Sequence, residues 1–202
     1  MRIRRRVHCV ATWLSRIITV FGASLAAALV ATWPFAHHLT DAVPLGTERD
    51  RTVPLFDLWA LWWTADRAVH GFVGYGDAPI FYPHRGVTHY SEPLPLLGLL
   101  VAPFWGLGAS PALIYNLALL AALTLNGVFG YRLARALDLP VLSALLGGVL
   151  MVTLPFAAKL QGVLPNLALF GMLWILEGMV RFGRDGRVRA AAWAAVGFAA
   201  TY

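Results

Sequence analysis

The side chains able to do chemistry crowd into one stretch, residues 36–92. It holds seven of the ten carboxylates: Asp41, Glu48, Asp50, Asp57, Asp66, Asp77 and Glu92. Five of the six histidines lie there too: His37, His38, His70, His84 and His89. A positioned carboxylate can take a proton from a reacting hydroxyl, and imidazole can carry a proton or hold a metal. His84 and His89 stand five apart in a loop, a weak pattern for a metal, and the single cysteine, Cys9, offers neither a thiolate cluster nor a disulfide. No metal site is expected from these spacings. A solvated loop would show the same crowding, because connecting segments are polar.

The rest of the chain must position that stretch, and it is greasy. Of 202 residues, 59% are hydrophobic and 13% are charged, and the mean hydropathy is +0.67. A soluble domain carries about 25% charge, so the composition points to a multi-pass membrane protein. The net charge of +6 does not indicate nucleic-acid binding. Its basic residues sit in short clusters between apolar runs, with Lys159 the only lysine, and form no stripe.

An apolar run at 17–36 follows the basic start MRIRRR. Its twenty residues span about 30 Å, longer than a signal-peptide core, and it ends in Trp33-Pro34-Phe35. It reads as an uncleaved first span with its start in the cytoplasm. Residues 54–70 read as a helix lying on the membrane surface, with Thr52 as its cap, Pro54 in its first turn and Gly71 as its stop. At 100° per residue, Leu55, Trp59, Trp62 and Trp63 share a broad face suited to the headgroup level. Asp57, Ala60, Thr64 and Ala68 share a narrow face that would present Asp57 to open space. The alternative is a Trp face packed on neighbouring spans. Residues 71–92 form a loop dense in Gly, Pro and Tyr.

Further apolar runs lie at 94–107, 112–131, 141–158, 166–180 and 190–202. The first, at fourteen residues with Pro95 and Pro103, suits an interfacial or re-entrant segment. Topology supports that choice. If 94–107 does not cross, Arg132/Arg135 and the four arginines of 181–189 fall on the same side as the amino terminus, as the positive-inside bias requires. The expected fold is therefore all-α: a single polytopic transmembrane helical domain over 1–202 with about five spans. Residues 36–110 are its long outer loop and carry the interfacial helix. A carboxylate within a span can mark a pathway, but Glu177 lies near the cytoplasmic end of its run and is expected to be structural, either reaching the headgroups or pairing with Arg181 at i+4. The last apolar run is unfinished at Tyr202, and the expectation is that this is the front part of a longer protein.

Several stretches resemble members of the GT-C superfamily of integral membrane glycosyltransferases, which includes protein mannosyltransferases and aminoarabinose transferases. They are LGTERDRTVPLFDLWALWWTADRAVHG, APIFYPHRGVTHYSEPLPL, SPALIYNLALL and NGVFGYRLARAL. The resemblance covers most of the chain from Trp33 onward, as an amino-terminal part of that fold. It implies transfer of a sugar from a polyprenyl-phosphate donor to an acceptor at the outer face of the cell (inner or plasma) membrane. In that superfamily an acid in the first outer loop is the general base or binds the acceptor. The family's Asp or Asp-Glu pair has no strict counterpart here; Glu48-x-Asp50 is the nearest match and Asp57 the runner-up. The departing lipid phosphate needs cationic neutralisation, for which Arg49, Arg51 and Arg85 or a divalent cation would serve. Tyr82 and Tyr90 can stack on a sugar ring, and His84 and His89 complete the substrate-binding set. Two non-enzymatic functions compete: a scaffold or assembly protein, and a transporter component. The spans carry almost no polar groups beyond Asn116, Asn126 and Glu177, which weighs against transport.

Overall fold

The computed structural model describes residues 2–90 and 93–201, and side chains only from residue 14 onward within those ranges. Glu92, the side chains of the MRIRRR cluster and Cys9 lie outside the described residues. Nine α-helices follow one another, with no strand among the described residues. They are α1 (Arg2–Ala31), α2 (Thr52–Val69), α3 (Pro95–Gly106), α4 (Pro111–Ala136), α5 (Val141–Val152), α6 (Pro155–Lys159), α7 (Leu164–Leu167), α8 (Phe170–Asp185) and α9 (Val188–Thr201).

Each boundary has a local cause. Ser110 caps α4, its Oγ accepting from the Leu113 N–H at 3.2 Å, with Pro111 in the first turn. Pro155 has no N–H to continue α5, so the helix breaks at Thr153 and Leu154 and restarts as α6. Gly186, at φ 62°, closes α8 in the left-handed conformation. Three stretches are long and apolar enough to cross a membrane: Leu14–Ala31, Pro111–Ala136 and Val141–Lys159. At 16 and 14 residues, α8 and α9 reach only about 24 and 21 Å.

The axis of the molecule is α4. Ile114, Tyr115, Ala118 and Ala122 have no exposed surface, and α1, α3, α5 and α8 pack around them. Small residues let the backbones approach. A Cβ on Gly148 of α5 would stand 2.5 Å from the Gly127 carbonyl of α4, and one on Gly127 the same distance from Ser24 Oγ of α1.

The bundle has two chemically different ends. At one, Asn116 Nδ2 donates to the carbonyls of Leu39 (3.0 Å) and Ala42 (2.7 Å), and Ser110 Oγ donates to that of Thr40 (2.9 Å). There too, Gln161 Nε2 donates to the Ala31 carbonyl at 3.2 Å, and Tyr115 Oη donates to the Gln161 carbonyl at 3.0 Å. At the other end the arginines gather. Arg16 of α1 and Arg132 of α4 line one cavity, and Arg132 and Arg181 share Glu177. Arg184 pairs with Asp138 at 2.7 Å. Thus α1 finishes and α4 starts at the loop end.

The orientation of α2 corrects the expectation. Asp57 and Thr64 are 2% and 1% exposed, while Leu55 and Trp62 are 58% and 39% exposed. The narrow face therefore packs on α3 and α4, and Asp57 faces no open space. Trp63, given to the broad face, is buried by the loop: its Nε1 donates to the Tyr75 carbonyl at 2.9 Å. The cap differs as well. Arg51 occupies the N-cap position, and Asp50 rather than Thr52 supplies the capping oxygen.

Candidate functional site at the loop end

The segment after α1 is laid across the top of the bundle by backbone contacts. Thr47 N–H and Oγ1 both donate to the Lys159 carbonyl, at 2.7 and 3.2 Å. Gly46, at φ 61°, sits where a Cβ would strike that same carbonyl, and a Cβ on Gly162 would strike the carbonyl of Leu45. Two glycines thus let residues 45–47 and 159–162 run in direct backbone contact. This fixes Glu48, half-buried, one residue past the contact.

The three acids nominated as bases have different surroundings. Asp50 is exposed, and its Oδ1 accepts the Thr52 N–H at 2.8 Å at the start of α2. That backbone bond, with the Thr52 hydroxyl beside it, holds the Asp50 carboxyl below the usual carboxylate range. Asp57 Oδ2 accepts the Leu164 N–H at 2.8 Å, fastening α2 to the first residue of α7. Both acids thus serve backbone N–H groups, whereas Glu48 is half-buried with its own N–H bonded to the Leu45 carbonyl at 3.1 Å.

Between this segment and the start of α2 lies a cleft of about 380 Å³. Asp41, Val43 and Leu45 form one wall, and Arg51, Leu55 and Leu58 the other. It brings a carboxylate, a guanidinium and an apolar surface together. Asp41 is held by His38, whose Nδ1 stands 3.0 Å from Asp41 Oδ2. Sequence reasoning counted Asp41 among the acids without giving it a role. The signal available was an i,i+3 His–Asp pair directly after the first span.

Arg85, Tyr82, His84 and His89 are not part of this cleft. They belong to a turn beyond the second half of α2, where Gly86 N–H donates to Asp77 Oδ1 at 2.8 Å. The His84 N–H donates to the Phe81 carbonyl and the His89 N–H to that of Gly86, both at 3.0 Å. That turn packs through Ala78 and Val87 on Trp63, leaving Tyr82, His84, Arg85 and His89 exposed. Among the described residues, no hydrogen bond or ion pair joins these four to Glu48, Arg49, Asp50 or Arg51, and no three His, Cys, Asp or Glu side chains are grouped as a metal site would need. Arg49, next to Glu48 in the chain, is exposed and does not line the cleft.

Three polar side chains of the helices are committed to structure, while Thr124 Oγ1 and Asn126 Oδ1 of α4 are buried without a hydrogen-bond partner among the described residues. Asn116 holds the 39–42 segment, Asn126 Nδ2 donates to the Leu167 carbonyl at 2.7 Å, and Glu177 is enclosed by arginines. The chain matches no family model, no curated protein and no solved structure.

Proposed function

We propose that the protein is a membrane glycosyltransferase that moves a sugar from a polyprenyl-phosphate donor to an acceptor, with the loop-end cleft as the place of reaction. The observation that carries this reading is the joint presence of Asp41, Arg51 and an apolar wall of Leu45, Leu55 and Leu58 around one cleft. A lipid-phosphate sugar needs those three surfaces. The guanidinium pairs with the phosphate, the leucines receive the first isoprene units, and a carboxylate faces the acceptor hydroxyl. In the step itself the acceptor oxygen bonds to the anomeric carbon as its proton passes to the carboxylate. The bond from that carbon to the phosphate oxygen breaks, and the lipid phosphate leaves with the electron pair. Asp41 is the carboxylate on the wall, and Glu48, seven residues on, is the second candidate. Asp50, with its lowered pKa and a capped oxygen, is a poorer base, and Asp57 is a fastening group. The reading includes five passes through the membrane, an amino terminus in the cytoplasm, and α2 at the outer interface.

A scaffold function is favoured by one specific observation, the commitment of Asp50 and Asp57 to backbone N–H groups. One assay separates the two readings: transfer from a labelled polyprenyl-phosphate sugar in membranes bearing Asp41→Asn, Glu48→Gln or Arg51→Gln. Loss of the base lowers turnover about 10²- to 10⁴-fold, with the protein still extracted as a folded species. Unchanged transfer in all three removes the cleft from the mechanism, and absence of transfer in the unaltered protein leaves the scaffold.

A further inference from the structure

The arginine end carries a second cavity that the proposed transferase reaction does not use. It measures about 370 Å³ and is lined by Arg132, Arg181, Arg187, Arg189, Asp185 and Trp193. Beneath it lies Glu177, with no exposed surface. Arg132 grips this carboxylate through two nitrogens, Nε to Oε2 at 2.8 Å and Nη2 to Oε1 at 3.0 Å. Arg181 adds Nε to Oε1 at 2.9 Å.

Those bonds use only part of each guanidinium. Nη1 of Arg132 and both terminal nitrogens of Arg181 are not used in them, although the groups are held in place. Arg132 is further fixed between aromatic rings, its guanidinium carbon 5.4 Å from the Phe129 centroid and 5.0 Å from that of Trp193. Trp193 Nε1 in turn reaches Glu177 Oε2 at 3.4 Å. A buried acid therefore orients two cations toward the cavity, which is preorganisation of donors before any ligand arrives. Around the cavity four guanidiniums face two carboxylates, Glu177 beneath and Asp185 on the wall. Asp185 approaches Arg187 only at 4.0 Å. The remaining charge is positive, and the donors are planar forks suited to tetrahedral oxyanions.

We propose that this cavity is a binding site for a phosphate group, presented by an anionic phospholipid headgroup at the membrane surface. Trp193 and the basic ring sit where a bundle meets headgroups, and basic pockets between spans are of this chemical kind. A free phosphate would satisfy the same donors, so the test has an arm for each source.

The test uses the purified full chain in detergent, with retention read by native mass spectrometry. The probes are phosphatidylglycerol, phosphatidylcholine and inorganic phosphate. The variant of choice is Arg187→Gln with Arg189→Gln, which leaves the Glu177 bonds untouched; Arg184→Gln, paired with Asp138 outside the cavity, is the control. Phosphatidylglycerol should be retained over phosphatidylcholine. The double variant should weaken retention roughly 30-fold at an unchanged melting temperature, and the control should not. Retention that survives excess inorganic phosphate assigns the lipid headgroup. Phosphate that binds without lipid and displaces phosphatidylglycerol assigns the free ion to the same site. Equal retention by the unaltered and double-variant proteins overturns the proposal. So does a loss at Arg184→Gln as large as that of the pair, which would mean diffuse surface charge.

Discussion

Carboxylates in this protein differ by what satisfies them. Glu177 is buried and would be costly alone, but two arginines and an indole N–H surround it. The i+4 pairing with Arg181 was legible from spacing alone; Arg132, forty-five residues earlier, was not, because only the packing of α4 on α8 brings it there. Asp57 shows the reverse. Its helical face could be calculated, but the partner N–H of Leu164 lies 107 residues away, so a buried fastener read as an exposed acid. Asp50 gives a pH-dependent prediction. Its folded pKa is depressed by the Thr52 N–H, so the cap's contribution is present above the unfolded value and is lost as pH falls through the folded one. The Thr52 amide resonance should titrate with a midpoint below about 3.9, the value of a free aspartate, and stay flat in Asp50→Asn. A midpoint at or above that value would show that the cap does not form in solution.

Among the elements, α2 separates what a periodic pattern can say from what it cannot. The pattern defined two faces, Leu55/Trp59/Trp62/Trp63 and Asp57/Ala60/Thr64/Ala68; in the fold Asp57 and Thr64 of the second are buried together, while the first divides into exposed Leu55 and Trp62 and buried Trp63. Which set is buried depends on a partner that hydropathy does not reveal. Here α3 supplies Gly98, on which a Cβ would come 2.5 Å from Thr64 Cβ, so the small residues of α2 mark the close contact. Tyr75 adds its hydroxyl at 3.2 Å from Thr64 Oγ1. Trp59 and Trp63 stack with centroids 6.0 Å apart under the 75–88 loop, leaving Leu55 and Trp62 outermost. Thr64→Asp should therefore lower stability far more than Trp62→Asp. A charge placed in the α2–α3 contact costs about 3 kcal/mol or more, and one at the open face much less. Thermal unfolding in detergent measures both, and equal loss at the two positions would mean that α2 is turned differently.

At the scale of the whole molecule, the distribution of arginines carried more information than the lengths of the apolar runs. Six apolar runs, with 94–107 set aside by the arginine distribution, suggested about five spans; among the described residues three stretches are long and apolar enough to cross, and α8 and α9 are shorter. The helix ends were blurred by proline: Pro155 splits the apolar run at 141–158 into α5 and α6. Charge, by contrast, placed the ends of α4 and α8 together, and Arg132, Arg181 and Arg184 do gather at one end, with Arg16 of α1 lining a cavity there; the MRIRRR side chains lie outside the described residues. The cleft itself was only half legible, since Arg51 was nominated from its loop but Asp41 became a wall residue through the Asn116 bonds that fold 39–42 onto α4. If the bundle stands across a bilayer as its two ends suggest, Ser110 and Asp185 must face opposite solutions. In a background with Cys9→Ser, Ser110→Cys should react with an impermeant thiol reagent added outside intact cells, and Asp185→Cys only after permeabilisation. The Ser110 Oγ bond to the Thr40 carbonyl, at 2.9 Å, makes Thr40→Cys an internal check, since it must label from the same side as Ser110. Labelling of Ser110→Cys and Asp185→Cys from one side would mean that α4 and the stretch from α5 to α8 do not cross. Opposite labelling of Thr40→Cys and Ser110→Cys would mean that α3 crosses after all.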